Sequence, residues 1–337
     1  MRKTAGIIAT LALAGSALLA APAQAADVTI TAGGSSFSGG MFTTCANNYT
    51  AAKVTYTSSS SGAGRTNFVN GTYDFAGSDG AFGAADTKPA GSFVYVPVLG
   101  GPIALIFNVP GVNNLKLDAA TIGGIFGGSI TKWNDPAIKK LNKTAKLPAA
   151  AIVPMYRNTK SGTNDNFSGY LTSNKAAGWS KNQDWALATG KATPAGTGAA
   201  ASSGVVANVQ NNQNSIGYVD LKDALSSRLP YAAVKNAAGQ FVKPTTAGAA
   251  KFLAGQSIGD NGFVTIDWAK KVPGGYNASL ITYAVVSTSS SAKGAAVQSF
   301  INYTLKTCVP ANAAKLGYVS LTGAISAKAK ALAATIK

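Results

Sequence analysis

The amino-acid sequence predicts an α/β fold built on a mainly parallel sheet, and three observations lead there. From residue 28 to Asp79, strand-like and helix-like segments alternate, the pattern of strands joined by crossover helices. A Gly/Ser-rich turn stands at strand-to-helix junctions, around Ser36, Ser61 and Ser161. With 46% hydrophobic and 12% charged residues over 337 positions, the chain can bury a sizeable core and has length for two domains.

The segments follow in order. Residues 28–31 are β-branched and strand-like. A helix is expected next, because Met41, Phe42, Cys45 and Tyr49 share one face. Lys53, Val54, Thr55 and Tyr56 read as a second strand, and a helical piece with Phe68 and Val69 leads to a third at residues 73–76. Residues 94–99 and 103–108 read as two further strands, and 122–126 as helix. The apolar run 151–156 is a strand, followed by a helix marked by Phe167, Tyr170 and Leu171 at i, i+3 and i+4. Residues 175–204 are polar and Gly/Ala-rich, an expected excursion with short helices. A helix from 204, a strand at 215–220, a helix at 247–253, a buried strand at 280–286 and a helix at 292–303 complete the alternation. The tail, to Ile336, reads as an Ala/Lys surface helix.

Composition excludes much chemistry. The chain has no histidine and no glutamate; its 12 acidic residues are all aspartate. Hydrolases of the Ser-His-Asp and Cys-His kinds are ruled out, as are histidine-ligated zinc sites. No metal or cofactor is called for. Met1-Arg2-Lys3, an apolar run from Ile7 to Leu19 and Ala23-Gln24-Ala25 form a secretory signal peptide over residues 1–25. The mature protein is therefore expected to be exported, to the periplasm or the cell exterior. No cysteine stands at the cleavage site, so no lipid anchor is expected there. Cys45 and Cys308, alone in an exported chain, are predicted to form a disulfide.

The formal charge is +17, and losing Arg2 and Lys3 lowers it by two to +15. That balance suits anionic partners, including envelope polymers. The lysines are scattered, without the basic run that tracks a nucleic-acid backbone, so nucleic acid is not expected. Each Ser/Gly turn, taken alone, is an ordinary helix N-cap. Three such turns in an α/β sheet point to more, because ligands gather beyond the carboxyl ends of the strands. Helix N-termini there present unpaired N–H groups and partial positive charge to an anion. Beyond the signal only Arg65, Arg157 and Arg228 are arginines, against 24 lysines, and two of the three lie in or beside the turns. A guanidinium fork binds oxyanions in pairs of hydrogen bonds.

Six pieces, in order, carry a family resemblance: Gly33-Gly34-Ser35-Ser36-Phe37; Ser60-Ser61-Gly62-Ala63-Gly64; Gly71-Thr72-Tyr73-Asp74-Phe75-Ala76-Gly77-Ser78-Asp79; Ile125-Phe126-Gly127-Gly128 with Trp133-Asn134-Asp135; Arg157 with Ser161-Gly162-Thr163; and Ser215-Ile216-Gly217-Tyr218. The chain resembles the phosphate-binding component of phosphate ABC importers, a PstS-type solute-binding protein. The resemblance implies a two-lobed periplasmic-binding-protein (Venus flytrap) fold with the ligand in the interlobe cleft. It places residues 26–99 plus 280–337 in the first lobe and 100–279 in the second, with Cys45 and Cys308 both in the first. It also implies a monomer that is not an enzyme, binding inorganic phosphate and delivering it to a membrane permease.

Carried over residue by residue, the implied phosphate contacts are Ser36 and the backbone of Phe37, then Ser61, Asp79, Arg157, Ser161, Gly162 and Thr163. Asp79 has a physical role in that set: phosphate carries a proton near neutral pH and sulfate carries none. A buried carboxylate accepts the first and repels the second. This sequence departs from the family pattern at Thr159 and Lys160, where an aspartate that orients the arginine and a glycine are usual. Arg157 is then expected to lose a charged partner, with Asp165 an open alternative for that role. The competing readings are a receptor for sulfate, molybdate or tungstate, an unlipidated wall-associated phosphate scavenger, and a secreted phosphatase using Ser, Asp or Lys.

Overall fold

The computed structural model describes residues 28–337; the expected signal peptide lies outside the described residues. Eight strands form one sheet: β1 (Thr29–Ser35), β2 (Lys53–Ser59), β3 (Phe75–Ser78), β4 (Phe93–Asn108), β5 (Val153–Arg157), β6 (Thr197–Ala199), β7 (Ser215–Asp220) and β8 (Ser279–Ser287). Their spatial order is β2-β1-β3-β8-β4-β7-β5-β6. The outer groups pair in parallel, β1 with β2 and β3, and β5 with β6 and β7. The centre is antiparallel, β8 lying between β3 and β4, and β4 against β7. The sheet is therefore mixed where the alternation of segments predicted it mainly parallel. The central pairing comes from β8, contributed by the far end of the chain, which no local pattern reveals.

The two strands expected at 94–99 and 103–108 are one 16-residue strand. Its first part pairs with β8 and its last part, from Ile103, with β7, so it runs through both halves of the sheet. Register shifts between Thr282 and Tyr283, which face Leu99 and Pro97 and leave Val98 as the extra residue. A bulge is where a strand tolerates proline, which has no N–H to give the ladder. Residues Ile103 to Phe107 and Leu280 to Val286 are entirely or almost entirely inaccessible, as expected of strands covered on both faces. Helices pack around the sheet as a whole: α1 (Gly39–Asn47), α2 (Ser61–Val69), α3 (Ala119–Gly127), α4 (Gly162–Ser173), α5 (Ser202–Asn211), α6 (Gly294–Tyr303) and α7 (Gly323–Ala333). The excursion at 175–204 supplies the edge strand β6 as well as a short helix at Trp185–Thr189. The tail helix α7 is more than a surface helix, since Ile325, Ala329, Leu332 and Ala333 are buried on the core.

Cys45 in α1 and Cys308 beyond α6 form the expected disulfide, across 263 residues of sequence. Both sulfurs are buried, and Tyr49 packs on Phe300 and Tyr303 near the same seam. The bond closes a long loop in the unfolded chain, which reduces that state's entropy. Replacing both cysteines by alanine is expected to lower stability by about 2–4 kcal/mol. Denaturant unfolding of wild type and variant, with and without reductant, checks this. Equal midpoints in all four curves would show that the bond contributes nothing.

Candidate functional site

Strands β1, β2 and β3 of one outer group and β5 of the other end at one seam, and the residues just beyond them converge. β1 ends at Ser35, so Ser36 and Phe37 open the turn into α1. β2 ends at Ser59, and Ser60 caps α2 by accepting the N–H of Ala63 at 3.2 Å. β3 ends at Ser78, which places Asp79 at the strand's carboxyl end. β5 ends at Arg157, and Ser161 caps α4, accepting the N–H of Asn164 at 3.4 Å. The convergence follows from the parallel outer groups, which point their carboxyl ends toward one seam.

Asp79 is the centre of the first half. The Ser35 hydroxyl lies 2.6 and 2.7 Å from its two carboxylate oxygens. Thr282 of β8 donates to Oδ1 at 2.6 Å and Ser61 to Oδ2 at 3.3 Å, while the Asp79 N–H donates to Ser61 Oγ at 3.0 Å. The side chain is only 3% exposed. Burial pushes the carboxyl above its usual range, against the hydrogen bonds of Ser35 and Thr282, the charge of Arg157 and the Ser61 hydroxyl. Among the described residues, no cationic side chain pairs with it.

Arg157 is the counterpart in the second half and is 1% exposed. Nη1 donates to Ser36 Oγ at 2.8 Å; Nη2 reaches Ala200 O at 2.6 Å, Ser59 O at 3.0 Å and Thr159 Oγ1 at 3.2 Å; Nε donates to Ala200 O at 3.1 Å. Its backbone N–H donates to the Tyr218 hydroxyl at 3.0 Å, which in turn donates to Asn164 Oδ1 at 2.6 Å. Burial lowers its ionisation from the ordinary value, opposed by Tyr218, Asp79 and Asp220, yet a guanidinium stays charged under any physiological condition. Every partner is a neutral oxygen. Asp165 does not replace the expected aspartate; it pairs with Lys181 at 3.1 Å. Thr159 supplies one hydroxyl in place of a carboxylate, and the carbonyl of Ala200 does most of the orienting.

Gly162 joins the halves. A Cβ built on it would stand 2.5 Å from Ser61 Oγ and 2.7 Å from Asp79 Cβ. The N–H groups of Gly162 and Thr163, both in buried residues, donate to no acceptor among the described residues, and buried N–H groups without partners are rare. The structure thus brings together Ser36, Ser61, Asp79, Arg157, Ser161, Gly162 and Thr163. Phe37 presents only backbone here, because its ring is buried edge-on to Tyr318, whose hydroxyl donates to Phe37 O at 2.8 Å. One guanidinium with no counter-ion among the described residues, the open N-terminus of α4 and several hydroxyls make an oxyanion site. Among the described residues, no group of three or more His, Cys, Asp or Glu could hold a metal.

Four neighbours escaped the sequence. Ser35 adjoins Ser36 in the same Gly/Ser turn, which was signal enough. Thr282 is the polar break in an otherwise apolar strand. Ser202 donates its N–H to Ser36 Oγ at 3.2 Å, and Asn166 donates to Asp79 O at 2.7 Å and Gly162 O at 2.8 Å; neither had a recognisable pattern.

The PBP superfamily domain matches residues 20–307. Phosphate-binding protein PstS 2 of Mycobacterium tuberculosis is 35% identical over 261 residues, covering 73% of this chain and 70% of that protein. The chain belongs to the PstS-type phosphate-binding proteins. A second PstS, from Pasteurella multocida, is 35% identical over 227 residues, covering 64% of this chain and 63% of its own. Among solved structures, a high-affinity periplasmic phosphate-binding protein (PfluDING) bound with phosphate superposes with a TM-score of 0.74 at 20% identity, covering 90% of this chain and 93% of the other. A putative phosphate ABC transporter substrate-binding protein from Clostridium perfringens gives 0.63 at 19%, covering 88% and 100%. At these identities the structural likeness shows the fold, that of a two-lobed PstS-type binding protein.

The approach of Gly162 to Ser61 and Asp79 is closer than any side chain allows. Gly162→Ala is expected to hold the halves apart, costing about 1–3 kcal/mol of closure as overpacking does, which weakens oxyanion binding roughly ten- to a hundredfold. Calorimetric titration reads the loss, while the melting temperature without anion should barely move. Unchanged affinity would mean that the halves need not approach this closely.

Proposed function

We propose that this protein binds inorganic phosphate outside the cytoplasmic membrane and delivers it to the permease of an ABC importer. The observation that carries the reading is the Asp79 carboxylate, buried without a cation and facing the α4 N-terminus that adjoins Arg157. An anion site that contains its own anion favours a ligand bringing a proton. HPO4²⁻ or H2PO4⁻ donates that proton to Asp79, takes the N–H groups of Gly162 and Thr163 and the hydroxyls of Ser36, Ser61, Ser161 and Thr163, and neutralises Arg157. Sulfate has no proton to donate and would meet Asp79 as a like charge. The names of the PstS relatives support the same ligand, and those relatives are binding proteins, which supports a non-enzymatic role.

The chain passes between the halves of the sheet inside β4, near Gly100, and returns with β8, near Leu280. That crossing supports lobes of residues 26–99 plus 280–337 and 100–279, with the oxyanion between them. Among the described residues, no helix is long and apolar enough to cross a membrane. With the signal sequence this supports export, and the surplus of lysines supports contact with anionic envelope polymers.

Titration calorimetry with phosphate and with sulfate, on wild type and Asp79→Asn, tests the reading. Wild type is expected to bind phosphate and discriminate strongly against sulfate, and Asp79→Asn to lose most of that discrimination. No heat with phosphate would end the proposal; tight binding of sulfate or molybdate instead would assign a different oxyanion. Release of phosphate from a simple ester by the purified protein would point to a phosphatase. The raised ionisation of Asp79 adds a pH test. Burial raises the ionisation of Asp79 above the ordinary carboxylate range, so acidification turns it from an acceptor into a donor, while sulfate stays a dianion. Sulfate binding to wild type should therefore strengthen as pH falls, and the Asp79→Asn profile should stay flat.

A further inference from the structure

Outside the oxyanion site, a second set of polar contacts joins the halves of the molecule. Asp86, in the segment between β3 and β4, accepts Lys160 Nζ at 2.9 Å, Arg65 Nη2 at 3.0 Å and the Gly83 N–H at 2.9 Å. Arg65, buried in α2, also donates to Ser78 Oγ at 2.9 Å and to the side-chain oxygen of Gln183, and lies over the Phe82 ring. Gln183 donates to Ala81 O at 2.9 Å, and its own carbonyl accepts the Ser161 N–H and Asn164 Nδ2 at the start of α4, both at 3.1 Å. The Gly62 N–H, at the start of α2, donates to Lys160 O at 2.9 Å. Residues 160 and 183 thus hold the α4 side to the α2 side through atoms that do not face the oxyanion.

The surroundings show how these contacts act. Cavities of about 270 and 360 Å³ flank Asp86 and Lys160, one reaching Arg65 and Phe82 and the other Lys181 and Gln183. Burial would raise the Asp86 carboxyl, but the Gly83 N–H, Lys160 and Arg65 outweigh it and hold it at about 2, so Asp86 is charged whenever the protein works. The Lys160 side chain is 56% exposed, so its attraction to Asp86 is screened by salt and modest in size. Lys160 stands where the family pattern has glycine, and its carbon chain is what reaches Asp86.

We propose that Lys160, Asp86 and Gln183 form a latch that holds the closed state and slows release of the anion without touching it. The idea rests on the phosphate-binding reading above. Breaking contacts made only on closure raises the dissociation rate and leaves the encounter rate almost unchanged. Lys160 is a positioning residue in this scheme, acting through the approach of α4 to α2.

The test is stopped-flow phosphate release and association with the full mature protein, for wild type, Lys160→Ala, Lys160→Arg and Asp86→Asn. Lys160→Ala removes an exposed side chain and should fold normally; it is expected to release phosphate about three- to fivefold faster, with association within about twofold. Lys160→Arg should restore slow release. Raising salt should accelerate release from wild type and have a much smaller effect on Lys160→Ala. Small-angle scattering without phosphate gives a second reading, in which Lys160→Ala has the larger radius of gyration at low salt. If wild type binds phosphate but Lys160→Ala releases it at the wild-type rate, the latch is wrong and the phosphate reading stands. If wild type binds no phosphate, that reading fails, and scattering alone decides the latch: equal radii would overturn it.

Discussion

A carboxylate and a guanidinium are buried in one seam, and among the described residues neither has a salt-bridge partner. Asp79 is surrounded by the hydroxyls of Ser35, Ser61 and Thr282, and Arg157 by carbonyl and hydroxyl oxygens. Desolvating two charges is costly unless something compensates. Here compensation is divided: neutral dipoles hold each group in place, and the uncompensated remainder is available to a ligand. Direct pairing of Asp79 with Arg157 would have consumed both.

That division constrains the architecture around it. The donors of Asp79 come from three separate strand ends or strands, β1, the start of α2 and β8. The cage of Arg157 draws on β2, the residues before α5 and Thr159. Parallel outer groups bring the strand ends together, and the antiparallel pair β4 and β8 joins them into one sheet. The disulfide between Cys45 and Cys308 then ties α1 to the segment after α6, keeping the returning end of the chain beside the strands that it completes. Gly162 has no side chain because Ser61 and Asp79 occupy the space a Cβ would need.

The substitutions at Thr159 and Lys160 divide into two effects. Thr159 leaves the arginine without a charged support, and the Ala200 carbonyl takes over the orientation of its guanidinium while Tyr218 and Asn164 fix its backbone. Lys160 adds positive charge at the rim, where Asp86 receives it. The seam and the rim therefore use different chemistry: hydroxyls and N–H groups inside, exposed charge outside.

Local pattern was enough for the α/β class, most helices and the residues of the three Ser/Gly turns, because helix starts, strand periodicity and glycine punctuation are short-range. The absence of histidine and glutamate likewise narrowed the chemistry before any fold was known. The mixed character of the sheet, the continuity of β4 past Pro97 and the burial of one face of α7 were not legible, since each depends on a partner distant in sequence. The same holds for Thr282, which meets Asp79 across 203 residues. The opening thread of the site, from Arg157 to Thr163, showed in the sequence that a helix begins there with hydroxyls and a guanidinium. Only the tertiary structure decided which oxygens hold that guanidinium, and that Lys160 turns outward to Asp86, because hydrogen-bond partners are selected by packing and not by spacing along the chain.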